Sequence, residues 1–132
     1  MKRSGLRSRP KPHTSIELVL ARDFRKAIVK GYCAAPWCRE GATDAHHIVY
    51  EQELRKCCLP RWDRRDGIAL CRPCHDAHHN ASRRIPLSAL PDQALEFAFE
   101  QLGPRAYDYL KRRYSGHDPR MEWFLEQTEE AA

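Results

Sequence analysis

Two cysteine pairs, Cys33 and Cys38 in the run CAAPWC and Cys71 and Cys74 in the run CRPC, constrain this chain more than any other feature. Each pair occupies a tight turn, which lets two thiolates converge on one tetrahedral ion about 2.3 Å from each sulfur. Four such ligands close a structural site and leave no open coordination position. The stretch between the pairs is long enough for a hairpin, so zinc would tie the hairpin's entry to its exit and contribute directly to folding stability. At 132 residues the chain has room for one domain with a small core, the size class in which a staple helps. CRPC alone also fits a thiol redox motif, and CRPCH alone a thioether haem attachment, yet both leave Cys33 and Cys38 unexplained. Cys57 and Cys58 lack a turn spacing and read as ordinary thiols, with substitution for one of the four ligands as their other use.

The setting expected for these thiols is reducing. Residues 1–14 carry five Lys or Arg and no acid, but no apolar stretch of the kind a secretory signal needs, and no run is long enough to cross a bilayer. A cytoplasmic location without membrane association follows as the expectation, and there paired cysteines hold metals more often than they form disulfides. The net charge of +5 is unevenly spread: +5 over 1–14, +4 over 15–116 and −4 over 117–132. This reads as a basic arm disordered when free, one domain over 15–116, and an acidic tail that is frayed or partly helical. A mildly basic fold is compatible with phosphate binding without requiring it.

Hydrophobic periodicity supplies the elements. Ile16, Val19, Leu20, Phe24, Ala27 and Ile28 recur at helical spacing, and Gly31 can end the segment, predicting an amphipathic helix over 16–30. A short strand is expected around Ala45–Tyr50, a long loop or partial helix over 51–65, a second strand over 67–70, and a helix that starts near Pro73 and runs through His79. Two further helices follow, over 91–102 and from Pro104 through Tyr114. Leu95, Phe97, Ala98, Phe99 and Leu102 read as core. The fold class is therefore α+β: a zinc-stapled core over 33–80 with one helix before it and helical support over 88–114.

Five of the seven histidines fall in two clusters, His46 and His47 on the first strand and His75, His78 and His79 on the helix. Neighbours on a strand point to opposite faces, so His46 and His47 have different jobs. His75 and His79 are i and i+4 on a helix, share a face, and suit the gripping of one ion. Cys74 adjoins His75, so the cysteine site brings strand and helix together. Hydrolysis of a phosphodiester needs this division of labour: a group that deprotonates water near neutral pH, and a divalent ion that neutralises developing charge.

The run from CAAPWC through DAHHI to DGIALCRPCH resembles the cysteine-bearing branch of the HNH (ββα-metal) endonucleases, often found in bacteriophages. The likeness covers residues 33–79. It implies His47 as general base, His46, His75 and His79 as ligands of a catalytic divalent ion (Mn2+, Ni2+, Zn2+ or Mg2+), and His78 pointing elsewhere. The family's usual Asn is Asp66 here, which could orient the base, add a ligand or raise the pKa of His47. The resemblance implies DNA as partner, engaged by its backbone, with Arg61, Arg64, Arg65, Arg72, Arg83 and Arg84 as candidate phosphate contacts and Lys111, Arg112 and Arg113 as a further basic run. It also implies roles in phage packaging or recombination, in the host cytoplasm. The rival reading is a non-catalytic zinc module that binds nucleic acid, with Asp66 marking a decayed centre. Oligomeric state is not set by the sequence.

Overall fold

The computed structural model describes residues 15–131; the basic arm over 1–14 lies outside them. The described chain is mixed α+β. Helix α1 (Ser15–Ile28) leads into strand β1 (Asp44–His47), helix α2 (Glu51–Lys56), strand β2 (Gly67–Leu70) and helix α3 (Arg72–His79). Helices α4 (Asp92–Leu102), α5 (Ala106–Arg113) and α6 (Pro119–Ala131) complete it. The strands form an antiparallel pair in the register Asp44↔Leu70, Ala45↔Ala69, His46↔Ile68 and His47↔Gly67.

Strand β1 is shorter than the apolar run suggests. After His47 the chain leaves the ladder: Ile48 N–H donates to the Asp66 carbonyl at 2.7 Å, and Val49 N–H donates to the Asp66 carboxyl at 2.7 Å. Ile48 and Val49 are both fully buried, so the alternation of a strand is broken there. Helix α3 begins directly after Cys71, with Pro73 in its first turn, where the missing N–H costs nothing. Gly31 (φ 66°) and Gly103 (φ 65°) sit in the left-handed region past the ends of α1 and α4, as expected of stop signals.

The core lies between the hairpin and the C-terminal helices. Helix α4 buries Leu95, Phe97, Ala98, Phe99 and Leu102, and these meet Leu54, Leu70, Leu87, Leu110 and Met121. Two expectations are corrected. Helix α1 buries Phe24, while Ile16, Val19 and Leu20 face outward at 72, 44 and 45 % exposure. The segment from 117, expected as a frayed or partly helical tail, is helical over Pro119–Ala131 and packed on the core. Asp118 accepts from Arg120 N–H at 2.9 Å, an N-cap followed by Pro119 in the first helical position. Met121 is fully buried and Phe124 stacks on Phe99 at 5.7 Å.

Candidate functional site

Loop and helix bring the four cysteines to one point. Cys33 N–H donates to the Glu40 carbonyl and Ala34 N–H to the Ala69 carbonyl, both at 2.8 Å, which lays the CAAPWC turn against β2. Cys71 precedes α3 and Cys74 lies in its first turn. The sulfurs of Cys33, Cys38, Cys71 and Cys74 all lie within 4.8 Å of one another. Cys38 and Cys71 are 3.7 Å apart, close to the roughly 3.8 Å edge of a tetrahedron with bonds of about 2.3 Å. Burial, and then the crowding of neighbouring thiols, pushes the Cys74 thiol up to about 12. A bound cation reverses that preference, because it favours thiolates outright. The four cysteines thus form a site able to hold a metal ion, consistent with structural zinc. Cys57 and Cys58 stand outside it.

The second cluster is made of imidazoles. Ligand atoms of His46, His75 and His79 also lie within 4.8 Å of one another, and the His75 and His79 Nε2 atoms are 3.1 Å apart. The outward nitrogens of two rings are committed. His75 Nδ1 lies 2.8 Å from the Asp44 carboxylate, and Arg72 lies 2.9 Å from the same oxygen. Burial raises the Asp44 pKa, but hydrogen bonds from His75 and Thr43 and the charge of Arg72 outweigh it and leave the carboxyl below its usual range. Ionised Asp44 can only accept, so His75 Nδ1 carries the proton and Nε2 is left bare for an ion. At His46, the fully buried Tyr114 hydroxyl donates to the Ile48 carbonyl at 2.9 Å, so it accepts from His46 Nε2–H at 2.8 Å. That leaves Nδ1 of His46 bare. Burial, reinforced by the neighbouring histidines, holds the His46 pKa well below its ordinary value, so the ring is neutral, the form in which imidazole ligates. Neither Asp44 nor Tyr114 was found by reading the sequence. Asp44 had a signal, an acid two residues before the histidine pair; Tyr114, 68 residues from His46, had none.

His78 packs against His46, with ring centroids 5.0 Å apart, but both of its nitrogens are committed outside the cluster. Its Nδ1 accepts from Ile85 N–H at 3.0 Å, which places the proton on Nε2 for the Tyr50 hydroxyl at 3.0 Å. Burial lowers its pKa to about 4. It is a clasp between α3, the loop after it and Tyr50.

His47 lies beside the three imidazoles. They line, with Tyr50, Glu51 and Gln52, one cleft of about 390 Å³. Its Nε2–H donates to the Arg61 carbonyl at 2.7 Å, which fixes the tautomer and leaves Nδ1 as the basic nitrogen. Phe24 stacks on the ring with centroids 4.5 Å apart, and Trp62 meets it edge-on at 5.5 Å. Burial lowers its pKa despite the Arg61 carbonyl and the charge of Glu51.

Asp66 departs from two of the roles expected of it. It is fully buried, its Oδ1 is spent on Val49 N–H and its Oδ2 has no hydrogen-bond partner. It neither joins the imidazole cluster nor raises His47. Burial drives its own pKa well upward, which favours the neutral acid, a close match in shape and charge for the amide of Asn. It anchors the turn that carries the chain away from His47.

The arginines divide. Arg61 pairs with Glu17 and with Glu51 at 3.6 Å, and Arg65 bridges Asp63 at 3.2 Å and Glu100 at 3.1 Å. Arg84 donates to the Arg112 carbonyl. These three serve the fold. Arg64 and Arg83 are exposed, Arg83 lying 3.9 Å over Trp37, and Arg72 is 70 % exposed while tethered to Asp44. Lys111 and Arg112 are exposed, whereas Arg113 is stacked on Tyr109 at 3.7 Å. No helix among the described residues is long and apolar enough to cross a membrane. No family model, curated protein or solved structure matches the chain.

Proposed function

We propose that this chain is a metal-dependent DNA endonuclease with the ββα-metal core of the HNH kind, stapled by zinc on Cys33, Cys38, Cys71 and Cys74. The observation that carries the reading is the pairing of a three-imidazole cluster, two of whose rings have their other nitrogen already satisfied, with a fourth imidazole in the same cleft whose Nδ1 carries no proton. His75 Nε2 and His46 Nδ1 carry no proton, the state a ligand nitrogen requires. The donor set fits a borderline ion such as manganese, nickel or zinc better than magnesium.

A divalent ion on His46, His75 and His79 would neutralise charge on the phosphoryl and leaving oxygens. The remaining work falls to the chain. His47 takes the proton from the attacking water at Nδ1, and the Arg61 carbonyl stabilises the resulting imidazolium through Nε2–H. Phe24 and Trp62 hold the ring against rotation. Arg72, Arg64 and Arg83 are the exposed cations available to the DNA backbone, where such contacts add affinity without reading sequence. A role in packaging or recombination, and a phage source, extend this reading by the family resemblance alone.

Nicking of supercoiled plasmid is the test, with manganese, nickel, zinc and magnesium each added to the full chain. His47→Ala is expected to lower the nicking rate about 10²- to 10⁴-fold while DNA affinity is retained. Because burial depresses the His47 pKa, the base stays neutral at pH 7. Activity should therefore fall only as pH drops below the ordinary histidine value of 6.5. Absence of nicking with every metal, alongside intact DNA binding, would favour the non-catalytic module.

A further inference from the structure

The sequence set Cys57 and Cys58 aside, and the structure gives Cys57 surroundings that an inert thiol does not need. Cys57 follows α2, one helical turn after Glu53. Its thiol donates to Glu53 Oε2 at 3.3 Å, and Arg105 Nη2 donates to its sulfur at 3.2 Å. The other arm of the same guanidinium, Nη1, reaches Glu53 Oε2 at 3.3 Å. One arginine from the turn before α5 thus bridges a carboxylate and a thiol, while Glu53 itself is only 16 % exposed. Cys57 is half-buried and outside any disulfide, and Cys58 beside it is exposed, with φ at 57° in the left-handed region.

Thiol reactivity requires a thiolate and access. Glu53 Oε2 lies in place to take the thiol proton as the sulfur attacks, and the Arg105 guanidinium lies against the sulfur to offset charge that builds there. We propose that Cys57 is an oxidation-sensitive thiol, activated by Glu53 and Arg105, that reacts with hydroperoxides and passes the oxidised sulfur to Cys58. In the first step the Cys57 sulfur attacks the terminal peroxide oxygen, the O–O bond breaks, and the thiol proton moves through Glu53 to the leaving oxygen, giving sulfenic acid and water or an alcohol. In the second, the Cys58 sulfur attacks that sulfenic sulfur and water leaves, giving a disulfide between adjacent residues. Sulfur is oxidised by two electrons and the peroxide is reduced by two. Consecutive Cα atoms lie about 3.8 Å apart, shorter than a relaxed disulfide prefers, so the ring is readily reduced and the modification reversible. The site is separate from both metal clusters and does not depend on the nuclease reading.

The experiment treats the full, zinc-loaded chain with one equivalent of hydrogen peroxide and follows the tryptic fragment spanning residues 57–61 by mass spectrometry. The wild type should yield a fragment two hydrogens lighter that thiol reductant restores. Cys58→Ser should instead accumulate a sulfenic acid at Cys57 that dimedone traps. Arg105→Gln should slow Cys57 oxidation about tenfold, with thermal melting showing the variant folded. Cys57 oxidising no faster than Cys58 in the Cys57→Ser protein, or an unchanged rate in folded Arg105→Gln, would overturn the proposal.

Discussion

Asp66 shows how one buried atom sets a pH dependence. Its Oδ2 is enclosed without a partner, and burial drives the carboxyl pKa well above the ordinary aspartate range. A raised folded-state pKa contributes stability that is full below the unfolded value and is lost as pH climbs through the folded one. Wild type is therefore penalised at neutral pH relative to acid. Asp66→Asn keeps an oxygen for Val49 N–H and removes the ionisable proton. The variant should gain about 1–3 kcal/mol at pH 7 to 8, with the advantage shrinking toward pH 4, as urea denaturation across that range would measure. A pH-independent difference would mean that Asp66 is ionised and compensated. The same residue marks a limit of the sequence: five positions before Cys71, Asp suggests a charge near the ion, and only its burial shows that the charge is suppressed. The histidine pattern was legible, because strand alternation and helical i, i+4 spacing are local rules. Their partners Asp44 and Tyr114 depend on how distant segments meet.

At the scale of elements, the hairpin and α3 were readable from turn residues, cysteine spacing and Pro73, whereas the docking of α1 was not. Six apolar positions of α1 suggested one inward stripe, yet the face that meets the hairpin is centred on Phe24, with Glu17, Ala21 and Ile28 half-buried around it. The reason lies in β2. Gly67 pairs with His47 across the ladder, and a Cβ there would come within 2.6 Å of Ile28 and 2.9 Å of Phe24. The missing side chain is what lets Phe24 lie flat on His47. Gly67 has an ordinary φ of −116°, so backbone strain plays no part. Gly67→Ala should cost about 1–3 kcal/mol through this overpacking. It should also weaken plasmid nicking, because the ring held by Phe24 loses its support. If the melting temperature and nicking rate both stay at wild-type values, α1 does not hold His47.

Across the whole molecule, the two clusters of ligand atoms share one short helix. Helix α3 spans eight residues, too few to be stable alone in water, and it carries Cys74, His75 and His79 along consecutive turns. Its far end is fixed by His78, whose ring ties Tyr50 and the Ile85 backbone. Its near end carries Cys71 and Cys74, whose sulfurs lie crowded against those of Cys33 and Cys38 and which a cation would tie to them. The C-terminal helices, including the α6 that the acidic composition disguised as a tail, back the core through Leu95, Leu110 and Met121. Thus the cysteine ion should support both the fold and the imidazole geometry, whereas an ion on the histidines, two of which Asp44 and Tyr114 already hold, should add less to stability. Structural zinc sites bind with about 10–16 kcal/mol of apparent free energy, so loss of one thiolate should cost several kcal/mol. Cys38→Ser, at the half-exposed ligand, is expected to lose the tightly held ion and melt at much lower temperature. Cobalt-substituted wild type should show the sulfur-to-cobalt charge-transfer absorption that this variant lacks. His46→Ala should keep that absorption and its one retained ion while losing metal-stimulated nicking. Were the chain stripped by chelator to melt as the loaded chain does, the hairpin would be holding itself together, and the four sulfurs would have no structural ion to bind.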